Sequence, residues 1–144
     1  MSGAAADSRG GDASPVIHVS AALVVDDTGR LLVVRKRGTS VYMQPGGKPE
    51  PGETALECAV RETAEEVQLD LVDLELLGEF TSEAANEPGH ELHSTVYAAE
   101  LPGEPVASGE IAELRWTALD GSYDDLAPML ELNVMPLLRE RLAR

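Results

Sequence analysis

Apolar residues along the chain fall into short runs of the kind that form strands. Residues 16–25 are β-branched and apolar, and a second such run follows at residues 30–35 after the turn sequence Asp-Asp-Thr-Gly. Two apolar runs on either side of a turn predict a β-hairpin. Later runs predict further strands, with a polar loop at residues 82–91 between the first two. These strands are predicted at residues 71–80, 93–101 and 113–119.

Two other segments repeat their apolar residues at helical spacing. The first starts near Glu53, and its narrow apolar stripe is predicted to pack on a sheet while the opposite side faces a cleft. This stripe consists of Leu56, Ala59, Val60, Thr63 and Val67. The second runs from about Asn133 to Leu142, with Asn133 as its N-cap. The order of elements predicts a mixed sheet with helices on two faces, in an α/β or α+β fold.

Length and composition are those of one domain. The chain has 144 residues, which is a single-domain size with room for a hydrophobic core. The first 14 residues are small and polar and are predicted to form a disordered tail before a domain at residues 15–144. The sequence lacks a secretory signal or an apolar run long enough to span a membrane. With Cys58 as its single cysteine, it has no intramolecular disulfide, and we expect a cytoplasmic protein.

The formal net charge of −15 narrows the range of partners. Binding to a nucleic-acid backbone needs clustered Lys and Arg, so this composition argues against a DNA or RNA polymer as partner. A small phosphorylated molecule stays possible if metal ions neutralise the site.

The first helix carries an unusual concentration of charge in its last two turns. Arg61, Glu62, Glu65 and Glu66 lie close together there, and like charges three or four residues apart repel. A divalent cation such as Mg²⁺ removes this repulsion, because hard cations favour carboxylate oxygens and bridge them to phosphates. The glycines before the helix allow a close approach of backbone that side chains would prevent.

Together these residues resemble the signature box of the Nudix hydrolases. The box is Gly, five residues, Glu, seven residues, Arg-Glu, two residues, Glu-Glu, one residue, Gly and an apolar residue. Its positions are occupied here by Gly47, Glu53, Arg61, Glu62, Glu65, Glu66 and Leu69. One position departs, because Gln68 stands where the family has glycine, a residue suited to a left-handed helix end. The departure removes no acidic residue.

The resemblance implies a fold, a cofactor and a set of roles. It implies the Nudix αβα sandwich and a hydrolase that acts on phosphoric anhydride bonds with Mg²⁺, for which Mn²⁺ can substitute. By resemblance, Glu62, Glu65 and Glu66 bind the metal together with the backbone carbonyl of Gly46. Arg61 would orient these acids through a salt bridge, and Glu53 would support the turn and the Arg61 side chain.

Family members often carry a further acidic site on a loop before a late strand. Glu110 is our candidate for this metal ligand, and a solvated loop acid is the alternative interpretation. We expect Glu113 to pair with Arg115 or to cap the strand instead.

Candidate substrate contacts each have an ordinary structural alternative. Arg35 and Arg37 belong to the one concentrated basic segment and could contact a phosphate or lie in solvent. Tyr42 could stack on a base or fill the core. Gln44 precedes the box at a position where the family often has a large apolar residue. Asn133 matches the asparagine that reads the purine edge in MutT-type proteins, but an N-cap role also explains it.

The resemblance favours a small-molecule nucleotide as substrate. We predict cleavage of a nucleoside diphosphate linked to another group, with a (d)NTP or an oxidised dNTP such as 8-oxo-dGTP giving a nucleoside monophosphate and pyrophosphate. An ADP-ribose or other nucleotide-sugar diphosphatase is one alternative. A catalytically silent module that binds nucleotides is the other. Family members are often dimers, so a homodimer is possible.

Overall fold

A computed structural model of the chain describes residues 15–83, 88–121 and 123–142. The predicted disordered tail at residues 1–14 and part of the predicted loop at residues 82–91 lie outside these ranges. The described strands are β1 (Val16–Val25), β2 (Leu31–Lys36), β3 (Tyr42–Met43), β4 (Gly46–Gly47), β5 (Glu75–Glu83), β6 (Glu91–Glu100) and β7 (Ile111–Thr117). The helical elements are α1 (Ala55–Val67), a π-helical segment (Leu130–Val134) and α2 (Met135–Leu142).

The strands form one mixed sheet built around β1. The main path through the sheet is β3-β2-β1-β6-β5, while β4 pairs with β1 and β7 pairs with β2. Strands β1 and β6 run parallel along their full lengths, from Val16 beside Glu91 to Val25 beside Glu100. The other strand pairs are antiparallel. The predicted hairpin of β1 and β2 is present, joined at Val25 and Leu31.

The central strand is buried on both faces, which explains its unbroken apolar run. Leu23 faces a core that includes Leu130, Val134, Met135 and Leu138 of the C-terminal helical elements. Ala22 and Val24 face the opposite core, with Val67 of α1 and Leu69 just after it. Helices therefore cover both faces of the sheet, and the predicted αβα sandwich is confirmed.

Helix α1 has well-defined ends. Thr54 is its N-cap and forms a capping box with Glu57, in which each side chain accepts a hydrogen bond from the other residue's backbone N–H. At the other end Gln68 adopts the left-handed conformation with φ of 58°. Gln68 therefore has the left-handed conformation that the family glycine would adopt, although a residue with a Cβ atom is less stable in it.

The predicted apolar stripe of α1 needs a correction. Leu56 is 43% exposed, whereas Cys58 is buried and its thiol contacts the carbonyl oxygen of Gly47 at 3.3 Å. The buried side of the helix is rotated because the helix packs on the glycine loop as well as on the sheet. Glu66 is consequently buried along with the apolar residues.

The predicted start of the C-terminal helix is also wrong. Apolar burial begins earlier, at Met129 and Leu130, so the helical segment starts before Asn133. Asn133 lies within the π-helical segment, is exposed and is not an N-cap. The predicted strand at residues 71–80 begins at Glu75, because Leu69 and Leu71 pack into the core from a loop. No helix in the described part of the chain is long and apolar enough to cross a membrane.

Candidate active site

The glycine loop holds the backbone against both the sheet and helix α1. Gly46 and Gly47 form β4 and pair with Ala21 and Ser20 of β1. A Cβ atom on Gly46 would collide with the backbone of those two residues. A Cβ on Gly47 would lie 2.6 Å from Oε2 of Glu62. Both positions therefore require glycine, and at Gly47 the reason is the carboxylate of Glu62.

Glu62 and Glu66 form an inner pair of carboxylates beside this loop. Glu66 is only 7% exposed, and its Oε1 accepts a hydrogen bond from the N–H of Gly46 at 3.2 Å. Burial raises the pKa of Glu66 to about 8, although the charge of Lys36 and the Gly46 N–H act in the opposite direction. The negative charge of Glu62 adds to the increase. Such a pair favours either a shared proton or a bound cation.

Arg61 organises an outer cluster on the same helix. Its guanidinium donates to both oxygens of Glu53, at 2.7 and 2.9 Å, and to Glu65 at 3.2 Å. Hydrogen bonds from Arg61, followed by the backbone N–H of Glu50, lower the pKa of Glu53 to about 2. Arg61 also reaches Oε2 of Glu62 at 3.0 Å and so connects the outer cluster to the inner pair.

The glutamates of the box are therefore divided between two environments. The Glu65 side chain is 58% exposed and faces Arg61, four residues earlier on the helix. Glu62 and Glu66, also four residues apart, face the glycine loop. Within the described residues, no three His, Cys, Asp or Glu side chains converge into one metal-binding group. The inner pair nevertheless fits a hard divalent cation, because its donors are carboxylate oxygens next to closely packed backbone.

A cavity of about 380 Å³ opens beside the inner pair, and its lining combines charged and apolar residues. The charged lining residues are Lys36, Lys48, Glu62 and Glu110. Most of the other lining residues are apolar. They include Ile17, Val19, Met43, Leu92, Met129 and Leu130. This composition suits a ligand with a charged part and a compact organic part.

Three of the residues predicted outside the box helix line this cavity, and the predicted arginines do not. The lining residues are Gln44, Gly46 and Glu110. Arg35 is bound to Glu113 at 2.6 Å and to the carbonyl of Thr39 at 2.9 Å. Arg37 donates to the carbonyl oxygen of Gly109. The roles of these residues stay predictions, but both arginines are already engaged with the protein.

Tyr42 and Asn133 also lie away from the cavity lining. The Tyr42 hydroxyl donates to Glu113 at 3.1 Å, and its ring lies 3.9 Å from the guanidinium carbon of Arg115. Asn133 is exposed in the π-helical segment. Neither position brings the side chain to the inner carboxylates.

The predicted pairing of Glu113 with Arg115 is wrong. The register of β2 and β7 places Glu113 directly opposite Arg35, and cross-strand neighbours of opposite charge pair readily. Hydrogen bonds from Arg35, and then from Tyr42, hold the pKa of Glu113 below its usual value. Arg115 instead binds both oxygens of Asp125 at 2.8 Å.

Sequence reasoning missed several cavity residues. Lys36 is the middle residue of a basic run, and strand alternation places its side chain on the opposite face from that of Arg35. That signal was available in the sequence. Ser94 is a polar residue between Leu92 and Val96, and this too could be read as an interruption of a buried face. Met43 and Met129 gave no sequence signal beyond their hydrophobicity.

Comparisons with known proteins agree with this architecture. The sequence profile described as the NUDIX domain matches residues 15–135. An RNA pyrophosphohydrolase of Legionella pneumophila is 41% identical over 56 residues, which cover 39% of this chain and 32% of that protein. A putative 8-oxo-dGTP diphosphatase of Bacillus subtilis is 27% identical over 97 residues, covering 67% of this chain and 62% of the relative. The chain thus spans about a third of the first relative and less than two thirds of the second.

The fold has a solved counterpart over almost its full length. The crystal structure of a MutT protein from Methanosarcina mazei Go1 superposes with a TM-score of 0.78 at 22% sequence identity. The match covers 91% of this chain and 98% of that one. At this level of identity the similarity concerns the fold alone.

Proposed function

The chain belongs to the NUDIX domain family, and from this premise we propose that it is a pyrophosphohydrolase dependent on a divalent metal ion. Its substrate is a nucleoside diphosphate linked to another group, most favourably a (d)NTP or an oxidised dNTP such as 8-oxo-dGTP. The products are a nucleoside monophosphate and pyrophosphate. The observation that carries this proposal is the buried carboxylate of Glu66. It accepts a hydrogen bond from the Gly46 N–H and lies near the negative charge of Glu62.

The inner pair is the proposed metal site. Glu62 and Glu66 would hold Mg²⁺, or Mn²⁺ in its place, with the backbone carbonyl of Gly46 as a further oxygen donor. Glu65 and Glu110 are weaker candidates, because Glu65 faces Arg61 and Glu110 comes from the loop before β7. When bound, the cation neutralises phosphate oxygens and makes water a better nucleophile.

The surrounding residues position the reacting groups. Arg61 holds one oxygen of Glu62 at 3.0 Å, and the Glu53–Arg61 ion pair fixes Arg61 itself. Lys36 and Lys48 bring positive charge to the lining of the cavity, where a polyphosphate would lie. The apolar lining residues exclude water around the organic part of the substrate.

The mixed charged and apolar lining of the cavity supports a compact nucleotide over a polymer. The relative from Legionella is named for activity on RNA, but its similarity to this chain covers 56 residues. A net charge of −15 opposes extended contact with a nucleic-acid backbone. The free nucleotide is therefore the preferred substrate class.

A substrate panel tests the proposal. The purified full chain is incubated with each nucleotide at neutral pH, with Mg²⁺ or with excess EDTA, and the products are separated by chromatography. The panel contains the four dNTPs, 8-oxo-dGTP, ADP-ribose, NADH and a dinucleoside polyphosphate. We expect a nucleoside monophosphate and pyrophosphate from at least one triphosphate, with Mg²⁺ and not with EDTA.

Other outcomes separate the alternatives. Preferential cleavage of ADP-ribose would point to the nucleotide-sugar diphosphatase and contradict the triphosphate assignment. Binding of nucleotides by calorimetry without any turnover would show a silent module and contradict the enzymatic proposal. A Glu104→Gln variant serves as the control for the glutamate variants described below, because Glu104 is an exposed loop residue outside the cavity lining.

A further inference from the structure

Among the described residues that line the cavity, two buried side-chain atoms have no hydrogen-bond partner, and from them we infer a base-reading site. We propose that Ser94 and Gln44 hydrogen-bond to the polar edge of the substrate's nucleobase, and that Ser94 sets the preference among bases. This inference rests on the proposed function, since it assigns the part of the nucleotide that lies away from the inner carboxylates.

Ser94 occupies a core position on β6. It lies beside Val19 of β1 and Phe80 of β5, on the same face as Leu92 and Val96. The residue is only 1% exposed and lines the cavity. Its hydroxyl oxygen is buried and makes no hydrogen bond to any residue that the structure describes.

A hydroxyl in this position is unfavourable for folding. Leaving a buried polar group without a partner costs about 1–3 kcal/mol. Leu92 and Val96, on either side of Ser94 along the same face, are the apolar residues that such a position ordinarily holds. An alanine here would avoid the cost, so the hydroxyl is best explained by a ligand that completes its hydrogen bonding.

Gln44 supplies the second unpartnered atom. It lies between β3 and β4 and lines the same cavity, and its Oε1 is buried without a hydrogen-bond partner among the described residues. The adjacent segment is fixed to the sheet, because the N–H of Ala22 donates to the carbonyl of Pro45 at 3.0 Å. An amide oxygen accepts, whereas a serine hydroxyl can donate or accept. The two atoms therefore suit a ligand that offers both an N–H donor and a hydrogen-bond acceptor, as nucleobases do.

The apolar residues that line the cavity in the described part of the chain cannot orient a base by ring stacking. None of the described residues that line the cavity is Phe, Tyr or Trp. Met43 and Met129 supply flexible thioether side chains instead, which pack on aromatic rings in many orientations. Discrimination among bases of similar size therefore falls on the hydrogen-bonding atoms of Ser94 and Gln44.

The test measures base preference in Ser94→Ala. The values of kcat and KM are determined for the four dNTPs, for 8-oxo-dGTP and for 2-deoxyribose 5-triphosphate, which has no base. We expect kcat/KM for the preferred base to fall about 3- to 10-fold, the value of one neutral hydrogen bond, mainly through KM. The triphosphate without a base should be unaffected. The Tm of the ligand-free variant should equal or exceed that of the wild type.

A matched variant and three further outcomes complete the test. Ser82→Ala makes the same change on β5, outside the cavity lining, and should leave the order of preference intact. An unchanged ratio of kcat/KM between the preferred base and the other bases in Ser94→Ala would overturn the inference and leave the proposed function standing. Equal loss on the substrate without a base, or a lower Tm, would mark a structural role for Ser94 and also overturn it. If the wild type hydrolyses no nucleotide, the proposed function fails and the inference fails with it.

Discussion

Glu53 lies in the loop just before α1 and Glu66 lies in the last turn of α1, yet their surroundings shift their pKa values in opposite directions. Glu53 receives two hydrogen bonds from Arg61, and these lower its pKa to about 2. Glu66 is buried near a second carboxylate, and burial raises its pKa to about 8. Identical side chains thus serve different purposes: the paired carboxylate stabilises the loop, whereas the buried one is left available for a cation.

This difference shows which residue stabilises the fold and which one destabilises it while serving the proposed reaction. An ion pair such as Glu53–Arg61 is satisfied within the fold, so its removal should harm the fold first. A buried carboxylate without a cation is destabilising, so its removal should harm function and help the fold. The following predictions test that contrast, from the largest expected effect to the smallest.

Glu66→Gln should give the largest change in activity. The amide keeps the acceptor for the Gly46 N–H but loses the charge that would hold a metal ion, so turnover with Mg²⁺ should fall by about 10³-fold or more. The same substitution should raise the stability of the metal-free protein at pH 8 by about 1–3 kcal/mol, because it removes a buried charge. Steady-state kinetics and denaturant unfolding measure the two effects. Turnover equal to that of the Glu104→Gln control would exclude Glu66 from the metal site.

Glu53→Gln should show the opposite balance. Losing the ion pair frees Arg61, which orients Glu62, so activity should fall by about 10- to 100-fold, as is typical of residues that support metal ligands. Stability should decrease instead of increasing, and thermal unfolding with and without Mg²⁺ measures this. A more stable Glu53→Gln variant would remove the contrast with Glu66. Glu50→Gln is the matched control, since Glu50 lies 3.8 Å from Arg61 and is more exposed.

The pH dependence of stability should reflect both carboxylates. The pKa of Glu66 rises from its ordinary 4.5 to about 8 on folding, so the folded state binds the extra proton and metal-free stability should fall as pH increases between these values. The lowered pKa of Glu53 acts at the acid end, where stability should be lost as pH falls from 4.5 towards 2. Denaturant unfolding across this range should show both slopes. Glu66→Gln should remove only the slope between pH 4.5 and 8, and persistence of that slope in the variant would assign it to another group.

Gln68→Gly should have the smallest effect. Gln68 has a φ of 58°, a conformation that costs an L-residue roughly 1 kcal/mol and glycine almost nothing. The variant should gain up to about 1 kcal/mol of stability with unchanged kcat/KM, measured by denaturant unfolding and kinetics. Gln68→Ala, which keeps the Cβ, should show no such gain. A change in activity would mean that the helix end affects the carboxylates directly.

Much of the site could be predicted from residue spacing. The box gave the glycine loop, the helix and the Arg61 cluster, because these interactions lie within about 20 residues of chain. The separation of the box glutamates into two environments also follows from their spacing. Residues four apart share a helix face, which joins Arg61 with Glu65 and Glu62 with Glu66.

The substrate end could not be predicted in the same way. Ser94 reaches the cavity through the pairing of β6 with β1, a contact between segments about 75 residues apart in the chain that local pattern does not specify. Asn133 was misplaced because a π-helical segment moved the helix start towards Leu130. Arg35 has the positive charge that a phosphate contact needs. Its partner Glu113 lies on β7, and the register between β2 and β7 cannot be predicted from the local sequence.

One measurement tests the central claim most directly. Side-chain carboxyl resonances of ¹³C-labelled glutamate are assigned with single Glu→Gln variants and followed by NMR as Mg²⁺ is added. The account predicts that the resonances of Glu62 and Glu66 shift together and saturate, while that of Glu53 stays fixed in its pair with Arg61. A saturating shift at Glu53 with no change at Glu66 would contradict it.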